Sequence, residues 1–254
     1  MDALDTTRPN IARVYDFWLG GKDNFAADRE LARTMTEVNP GIPKMARTNR
    51  AFITAAVRGA AQAGVGQFLD LGAGLPTHPA VHETARTVNP DASVVYVDND
   101  PVVVTHASAL LATDPGIDAV QADITKPAEV LTHPGVRSAI DWTRPVCVVL
   151  AAILHFGDSV EAARLVTAYA GAACAGSWLA VSVFSGRDDV MESKSRAAYT
   201  AASFWVHGTS DMAKWLTGLD VVAPGICEAS QWVSGDGGIP DRGGWTLCAL
   251  AVKP

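Results

Sequence analysis

The amino-acid sequence predicts an α/β fold, a mostly parallel sheet of seven strands with helices on both faces. Apolar runs at 94–97 and 146–150 are nearly continuous, as in strands that are buried on both faces of a parallel sheet. Segments with helical character alternate with such runs along much of the chain, which is the pattern of successive βαβ units. A helical region precedes this alternating part.

The N-terminal quarter of the chain predicts a helical extension over residues 1–63. Apolar residues recur at helical spacing over 11–19, and this segment stops at a pair of glycines. A second helix is expected to begin near residue 26, and a third to cover 45–63 after a turn that is rich in proline and glycine. We therefore divide the chain into this extension and a Rossmann-like domain over 64–254.

Seven strands are expected in the second part, and the last two differ from the others. The predicted strands are 66–71, 93–98, 117–122, 145–153, 177–184, 219–223 and 245–252. The segment between the last two strands is rich in glycine and proline and leaves no room for a long helix. Because parallel neighbours need a long crossover, these two strands are expected to close the sheet as an antiparallel pair.

Composition and charge exclude several classes of partner. The chain has 254 residues, of which 48% are hydrophobic, and this is enough for a large domain with its own core. Its formal net charge is −7, and the densest basic stretch, at 44–50, is short, so nucleic acid is not an expected partner. The sequence has neither an apolar segment long enough for a membrane span nor the pattern of a secretory signal. We expect no membrane partner and a cytoplasmic location.

A glycine-rich turn after the first predicted strand indicates a site for a nucleoside-bearing cofactor. The strand carries Asp70 and breaks at 72–74, and the next strand ends in Asp98. Glycines let the backbone approach a ligand, and an acid at the tip of the next strand can accept ribose hydroxyls. Pro76 stands close behind the turn, and the third glycine of a dinucleotide fingerprint is missing. A nicotinamide oxidoreductase is therefore disfavoured.

Several sequence blocks together point to one family. LDLGAG, YVDNDP, AVQADI and VVLAAILHF follow one another in the core, and two more specific blocks precede them, ARVYDFWLGGKDNFAADRELA (12–32) and MARTNRAF (45–52). In these blocks the chain resembles class I S-adenosylmethionine-dependent methyltransferases, in particular an actinobacterial-type family formerly known only as a domain of unknown function. The resemblance covers almost the whole chain. No Asn/Asp-Pro-Pro-Tyr motif is present, which weakens methylation of nucleobase or glutamine amino groups.

The resemblance implies cofactor contacts at the ends of four strands. The methionine part of S-adenosylmethionine would lie along the turn after the first strand, and the ribose at the end of the second. The adenine would lie at the ends of the second and third strands, and the methyl group at the end of the fourth. In that order, the implied contacts are Asp70, Gly72, Ala73, Gly74, Asp98, Asn99, Asp123, Ile124 and Ala151.

Each of the three strand-end acids also has a structural explanation that the sequence leaves open. Asp98 could cap the helix that follows it, since aspartate is a favoured N-cap. Asp70 could bond nearby amides at the end of its strand. Asp123 stands before residues that are ordinary in a turn.

The N-terminal block is expected to fold over the cofactor as a lid. It places polar groups, with Tyr15 and Asn24 as the expected contacts, around the glycine pair that begins at Gly20. Gly20 could equally be the C-cap of the first helix. In the third helix, Arg47 and the polar residues at 49–50 could meet the carboxylate of the cofactor, which a guanidinium fork can bind, or could be solvated.

His155 is the candidate catalytic residue because it follows the fourth strand, at the edge where open α/β sheets bind ligands. An imidazole that titrates near neutrality could remove a proton from an acceptor hydroxyl or amine. Methyl transfer from a sulfonium needs mainly in-line orientation, so a base is optional and a structural role stays open. Trp205, His207 and Trp215 lie where acceptor pockets are often built, or are core aromatic residues.

No metal site is expected from the sequence. His78 and His82 have the i, i+4 spacing of two ligands on one helix face, but a third ligand is not evident, so solvated or capping roles are expected. The 4 cysteines have no close pairing along the chain and are expected to be reduced core thiols.

The predicted function is transfer of a methyl group from S-adenosylmethionine to an unidentified small-molecule acceptor, with S-adenosylhomocysteine as product. The alternative is a regulatory protein that binds the same cofactor without catalysis. Neither the acceptor atom nor the oligomeric state follows from the sequence.

Overall fold

A central sheet organises the residues that the computed structural model describes, which are 5–112, 114–185, 189–234 and 245–254. Its strands are β1 (Gln67–Leu71), β2 (Ser93–Asp98), β3 (Ile117–Gln121), β4 (Cys147–Ala151), β5 (Trp178–Ser185), β6 (Asp220–Val221), β7 (Cys227–Glu228) and β8 (Trp245–Val252). Helices occupy both faces of this sheet.

The helices alternate with the strands after the N-terminal region. They are α1 (Ile11–Leu19), α2 (Ala26–Val38), α3 (Ile42–Gln62), α4 (Val81–Arg86), α5 (Pro101–Leu110), α6 (Pro127–Thr132), α7 (Pro134–Ala139), α8 (Ser159–Ala172), α9 (Asp189–Ala198), α10 (Thr209–Trp215) and α11 (Ala229–Ser234). A short 3-10 helix over Leu154–Phe156 follows β4. Helix α3 begins earlier than predicted, because Pro43 suits the first turn of a helix.

The strand order β3-β2-β1-β4-β5-β8-β6 confirms the predicted fold class. Strands β1 to β5 pair in parallel, and β8 runs antiparallel between β5 and β6. The two-residue strand β7, which the sequence analysis did not predict, pairs with β8. The order reverses between β1 and β4, and open α/β sheets bind ligands at the carboxyl ends of the strands beside such a reversal.

Apolar side chains on both faces of the sheet explain the continuous apolar runs. In β1, Leu69 and Leu71 belong to one buried cluster, which helix α8 completes. Phe68 points to the other face and belongs to a second cluster, which helix α3 completes. The core therefore forms two layers with the sheet between them, and its strand ends are held rigidly.

Helices α1 and α2 are joined by a buried ion pair. Arg13 Nε lies 2.8 Å from Asp28 Oδ2, and both side chains are almost fully buried. The same carboxylate accepts hydrogen bonds from the backbone N–H groups of Asn10, at 2.8 Å, and Phe25, at 2.7 Å. Removal of one partner of such a pair leaves a buried charge uncompensated, which costs about 3–5 kcal/mol. The pair therefore fixes the geometry of the N-terminal helices.

The fold separates the two histidines and places two of the cysteines opposite each other on neighbouring strands. Helix α4 begins after His78, whose Nδ1 lies 2.8 Å from Glu83 Oε2, so His78 and His82 do not share a helix face. Cys227 and Cys248 lie directly opposite each other on β7 and β8, as free thiols. Within the described ranges, no cluster of three or more His, Cys, Asp or Glu side chains could hold a metal ion. No helix among the described residues combines the length and apolarity needed to cross a membrane.

Candidate active site

A cavity opens at the carboxyl ends of β1, β2 and β4, where the strand order reverses. Helices α1 and α3 line its opposite wall, and the end of β5 and helix α9 line its far end. The cavity has a polar end and an aromatic end, which we call the cofactor end and the aromatic compartment. The cofactor end is formed by Asp70, Gly72, Ala73, Gly74, Asp98 and Asn99. The aromatic compartment is formed by His155, Phe156, Phe184, Tyr199 and Phe204.

The glycine turn after β1 is held against β2 and leaves open space on its cavity side. The backbone N–H groups of Gly72 and Ala73 donate to the Val97 carbonyl, at 2.8 and 3.1 Å. A Cβ atom on Gly72 would lie 2.6 Å from Ile153, so that position requires glycine. Gly74 has φ +65°, and a Cβ atom there would meet no other atom within 4 Å. The turn therefore forms a cradle that fits a ligand approaching the backbone closely.

Asp98 ties this turn to the end of β2. Its Oδ2 accepts a hydrogen bond from Gly74 N at 3.0 Å, and its Oδ1 accepts one from Asp100 N at 3.0 Å. The N-cap of α5 is Asp100, which accepts a hydrogen bond from Val102 N at 2.8 Å, and this assigns capping to Asp100 rather than to Asp98. Burial raises the pKa of Asp98.

Asp70 is a buried carboxyl group that lines the cavity without a hydrogen-bond partner for its side chain among the described residues. Burial raises its pKa to about 6, the nearby guanidinium of Arg50 opposes this shift, and Asp98 adds to it. Arg50 itself is held by carbonyls, since its Nη2 donates to Pro79 O at 2.8 Å. A carboxylate in this position is suited to a cationic group of a ligand.

Tyr15 lies at the centre of a hydrogen-bond network that joins α1, α3 and β5. Its hydroxyl donates to Ala46 O at 3.1 Å and accepts from Asn49 Nδ2 at 2.9 Å. Asn49 Oδ1 accepts from Ser182 Oγ at 2.5 Å, and Ser182 Oγ accepts from Ala152 N at 3.0 Å. Ala152 has φ +53°, a strained value for a residue with a side chain, and it lines the cavity. The network holds this strained segment in place.

Nine of the fourteen predicted site residues line the cavity. They are Tyr15, Asp70, Gly72, Ala73, Gly74, Asp98, Asn99, Ala151 and His155. Asn10 and Asp100 are among the polar side chains of the lining that the sequence analysis missed. Asn10 Nδ2 donates to Asp100 Oδ2 at 2.6 Å, which fastens the start of α1 beside the end of β2. The sequence Asp98-Asn99-Asp100 at the end of β2 could have indicated Asp100.

The other five predicted residues lie outside the cavity lining that the described residues form. Gly20 has φ +83° and is the C-cap of α1. Asn24 donates from Nδ2 to the carboxylate of Asp16, and it is Asp16 that lines the cavity. Arg47 is exposed on α3.

Asp123 and Ile124 take part in the turn after β3. Asp123 Oδ1 accepts hydrogen bonds from Thr125 N and Oγ1, at 2.9 and 2.7 Å, so the turn role that the sequence left open is present. Ile124 packs against the sheet core, and its carbonyl accepts from Tyr169 OH at 2.9 Å. Adenine contact by these two residues stays a prediction.

His155 is 1% exposed and lies among aromatic rings. Its ring centroid is 4.4 Å from that of Phe156, 4.8 Å from that of Phe184 and 5.3 Å from that of Phe204. Its Nδ1 is buried without a hydrogen-bond partner among the described residues. Burial lowers the pKa of His155 to about 3, with a smaller contribution from His207. This burial does not favour the near-neutral titration considered in the sequence analysis, and a catalytic role for His155 stays a prediction.

The later aromatic residues divide between core and cavity. His207 Nε2 lies 3.0 Å from Gly157 O, and its ring contacts that of Trp215 at 4.9 Å, so these two side chains stabilise the region behind the 3-10 helix. Among the described residues after β5, Tyr199 and Phe204 supply the rings that line the cavity. Burial raises the pKa of Tyr199, so its hydroxyl stays protonated.

Comparisons with known proteins agree with this geometry. The family model described as S-adenosyl methyltransferase matches residues 1–252. A candidate methyltransferase from Thermobifida fusca YX is 37% identical, with a TM-score of 0.92, and the match covers 99% of this chain and 97% of that chain. A DUF574 family protein from Streptomyces avermitilis MA-4680 is 35% identical, with a TM-score of 0.92 and coverage of 98% and 99%.

A more distant structure shares the fold. The N-methyltransferase NodS from Bradyrhizobium japonicum WM9, in complex with S-adenosyl-L-homocysteine, is 14% identical. Its TM-score is 0.52, and the match covers 89% of this chain and 97% of that chain. No curated protein sequence matched the chain.

Proposed function

This chain belongs to the S-adenosyl methyltransferase family, and from that premise we propose that it transfers a methyl group from S-adenosylmethionine to a small-molecule acceptor. The observation that carries the proposal is the continuity of one cavity. An open glycine cradle with two buried carboxyl groups leads into a compartment of aromatic side chains. The first part suits a cofactor with a ribose and an ammonium group, and the second suits a compact acceptor.

The residues of the cofactor end fit S-adenosylmethionine, which supplies a sulfonium-bound methyl group when it is bound. Asp98 would accept ribose hydroxyls with the lone pairs that its two backbone hydrogen bonds leave free. Asp70 would hold the ammonium group, and this ion pair would stabilise its buried carboxylate. Asn99 would lie beside the adenine, and Ala151 beside the methyl group.

Helices α1 and α2 would act as the lid, whereas α3 would serve as part of the core. Phe52 and Ala56 of α3 pack in the same cluster as the sheet. Helix α1 is fastened to β2 by Asn10 and to α3 by Tyr15. Displacement of α1 would give both ligands an entry path to the cavity.

His155 would contact the acceptor, since it lies in the aromatic compartment and not beside the glycine cradle. A second candidate function is cofactor binding without catalysis, and the low pKa of His155 favours it, because such an imidazole is a weak proton acceptor. Release of S-adenosylhomocysteine with any acceptor would exclude this second function.

Thermal unfolding with ligands tests the proposal. A ligand that binds only the folded protein raises its stability, and the rise grows with the logarithm of the ligand concentration above Kd. We expect S-adenosylmethionine and S-adenosylhomocysteine to raise Tm and NAD to leave it unchanged. An equal rise with NAD, or none with either sulfur compound, would overturn the proposed cofactor.

A further inference from the structure

The aromatic compartment forms a box of stacked and tilted rings around His155. The His155 and Phe184 rings are nearly parallel, with an interplanar angle of 20°. Tyr199 closes the far side, with centroid distances of 6.2 Å to Phe156 and 6.0 Å to Phe204. Such separations are those of offset-stacked and edge-to-face pairs. The compartment therefore lines this end of the cavity with aromatic rings that pack against one another.

Charged groups of the cavity are concentrated elsewhere. Among the described residues, the charged side chains of the lining are Asp16, Arg50, Asp70, Asp98 and Asp100. Three of these acids lie in β1, β2 or the loop after β2, and Arg50 donates to the carbonyls of Thr77 and Pro79. The carboxylate of Asp16 accepts from Asp23 N at 3.0 Å and from Asn24. None of the charged side chains in this lining belongs to the aromatic compartment, which favours an uncharged ligand.

His155 Nδ1 has no hydrogen-bond partner among the described residues, and this indicates which polar group a ligand would carry. A neutral imidazole has one N–H donor and one bare nitrogen. An unpaired buried N–H is tolerated less well than an unpaired lone pair, so we assign Nδ1 as the bare nitrogen. A ligand that donates an O–H to this nitrogen would satisfy it.

From the ring box, the absence of charge in its described lining and the unpartnered Nδ1, we propose that the acceptor is an uncharged aromatic molecule whose phenolic hydroxyl donates to His155. This inference rests on the proposed function. In the net reaction the hydroxyl oxygen gains the methyl group, the electron pair of the broken C–S bond stays on sulfur, and S-adenosylhomocysteine is released. The hydroxyl proton is released to solvent.

The weak basicity of His155 separates phenols from aliphatic alcohols. Burial leaves this imidazole able to accept a hydrogen bond but able to hold a proton only weakly. An acceptor that gives up its proton easily suits such a site. The phenolic hydroxyl of tyrosine ionises with a pKa of about 10, and other phenols are similar. An aliphatic alcohol is far less acidic.

The test uses protein loaded with S-adenosylhomocysteine and three bicyclic probes of similar size. Calorimetry should show that 2-naphthol binds at least about tenfold more tightly than 2-naphthoate, because the carboxylate would be desolvated without a cation. With S-adenosylmethionine, 2-methoxynaphthalene should form, and decahydro-2-naphthol should give no ether. Equal or tighter binding of 2-naphthoate, no binding of 2-naphthol, or methylation of decahydro-2-naphthol would overturn the inference. Failure of S-adenosylhomocysteine itself to bind would instead overturn the proposed function.

Variants separate a hydrogen bond from ring packing. His155→Phe should leave the affinity for S-adenosylhomocysteine and for naphthalene unchanged and weaken 2-naphthol about fivefold, the effect of one hydrogen bond. Phe204→Leu should weaken the binding of naphthalene and of 2-naphthol equally. The Phe17 ring lies outside the cavity lining, so Phe17→Leu should weaken the binding of neither probe. Equal loss of naphthalene and 2-naphthol in His155→Phe would contradict the hydroxyl contact.

Discussion

The two ends of the cavity are built in different ways. At the cofactor end, backbone groups and carboxylates meet because β1 and β2 are neighbours in register, so Asp98 receives the Gly74 N–H directly. At the aromatic compartment, side chains come from the 3-10 helix, from the end of β5 and from the region after α9. A site set by sheet register changes little among relatives, whereas a site set by side-chain packing can change its ligand without changing the fold.

The largest expected effect lies at the cofactor end. Asp98→Ala removes the charged acceptor of two ribose hydroxyls and should weaken S-adenosylhomocysteine about 100-fold, with little effect on 2-naphthol. Asp91→Ala, at an exposed aspartate, is the matched control. Calorimetry checks both affinities. An unchanged affinity in Asp98→Ala would remove this residue from the site.

The next effect is a pH dependence of the affinity for S-adenosylhomocysteine, which Asp70 should cause. Its ammonium-binding form is the carboxylate, which predominates above a pKa of about 6 and is lost as pH falls through that value. Affinity for S-adenosylhomocysteine should therefore fall about tenfold from pH 7 to pH 5. The Asp70→Asn variant should bind S-adenosylhomocysteine weakly at both pH values, because it has no carboxylate to titrate. Identical pH profiles for both proteins would show that another group is responsible.

Asp70 also makes a prediction about the stability of the free protein. Because its folded pKa is raised above the unfolded value of 3.8, its buried carboxylate destabilises the fold above pH 6. That penalty is relieved as pH falls through 6 toward 3.8. Asp70→Asn should raise the free energy of unfolding at pH 8 by on the order of 2 kcal/mol, measured by denaturant titration. A destabilised variant would show that Asp70 is compensated within the fold.

Gly74→Ala tests the open cradle with a smaller expected effect. The added Cβ would enter free space in the unliganded protein, so the clash should appear only on binding, at a cost of about 1 kcal/mol or fivefold in Kd. Gly218→Ala is the matched control, since Gly218 also has a positive φ, +85°, with no neighbour within 4 Å. Equal effects of the two variants on calorimetric affinity would mean that only backbone strain was measured.

The smallest effect concerns the hydrogen-bond network around Tyr15, which lies between the cofactor end and the aromatic compartment. Tyr15→Phe leaves Asn49 Nδ2 without its partner and should lower stability by about 1 kcal/mol. Since this network holds Ala152 between the two ends, affinities for S-adenosylhomocysteine and 2-naphthol should weaken together, by about twofold. A change in one affinity alone would show that the ends are independent.

The sequence by itself determined the fold class, the parallel strands with their antiparallel ending and the glycine turn with Asp98. These features depend on local patterns: apolar runs, glycine positions and the acid at a strand tip. Sheet register then brings Gly74 and Asp98 together with little freedom.

Only the tertiary structure decided which polar residues of the N-terminal helices face the cavity and how deeply His155 is buried. Arg47 and Arg50 are both plausible in sequence, but the rotation of α3 on the sheet exposes Arg47 and turns Arg50 inward. The low pKa of His155 results from rings that are distant in sequence, including Phe184 and Phe204. Desolvation depends on everything that packs around a group, and no local pattern encodes that.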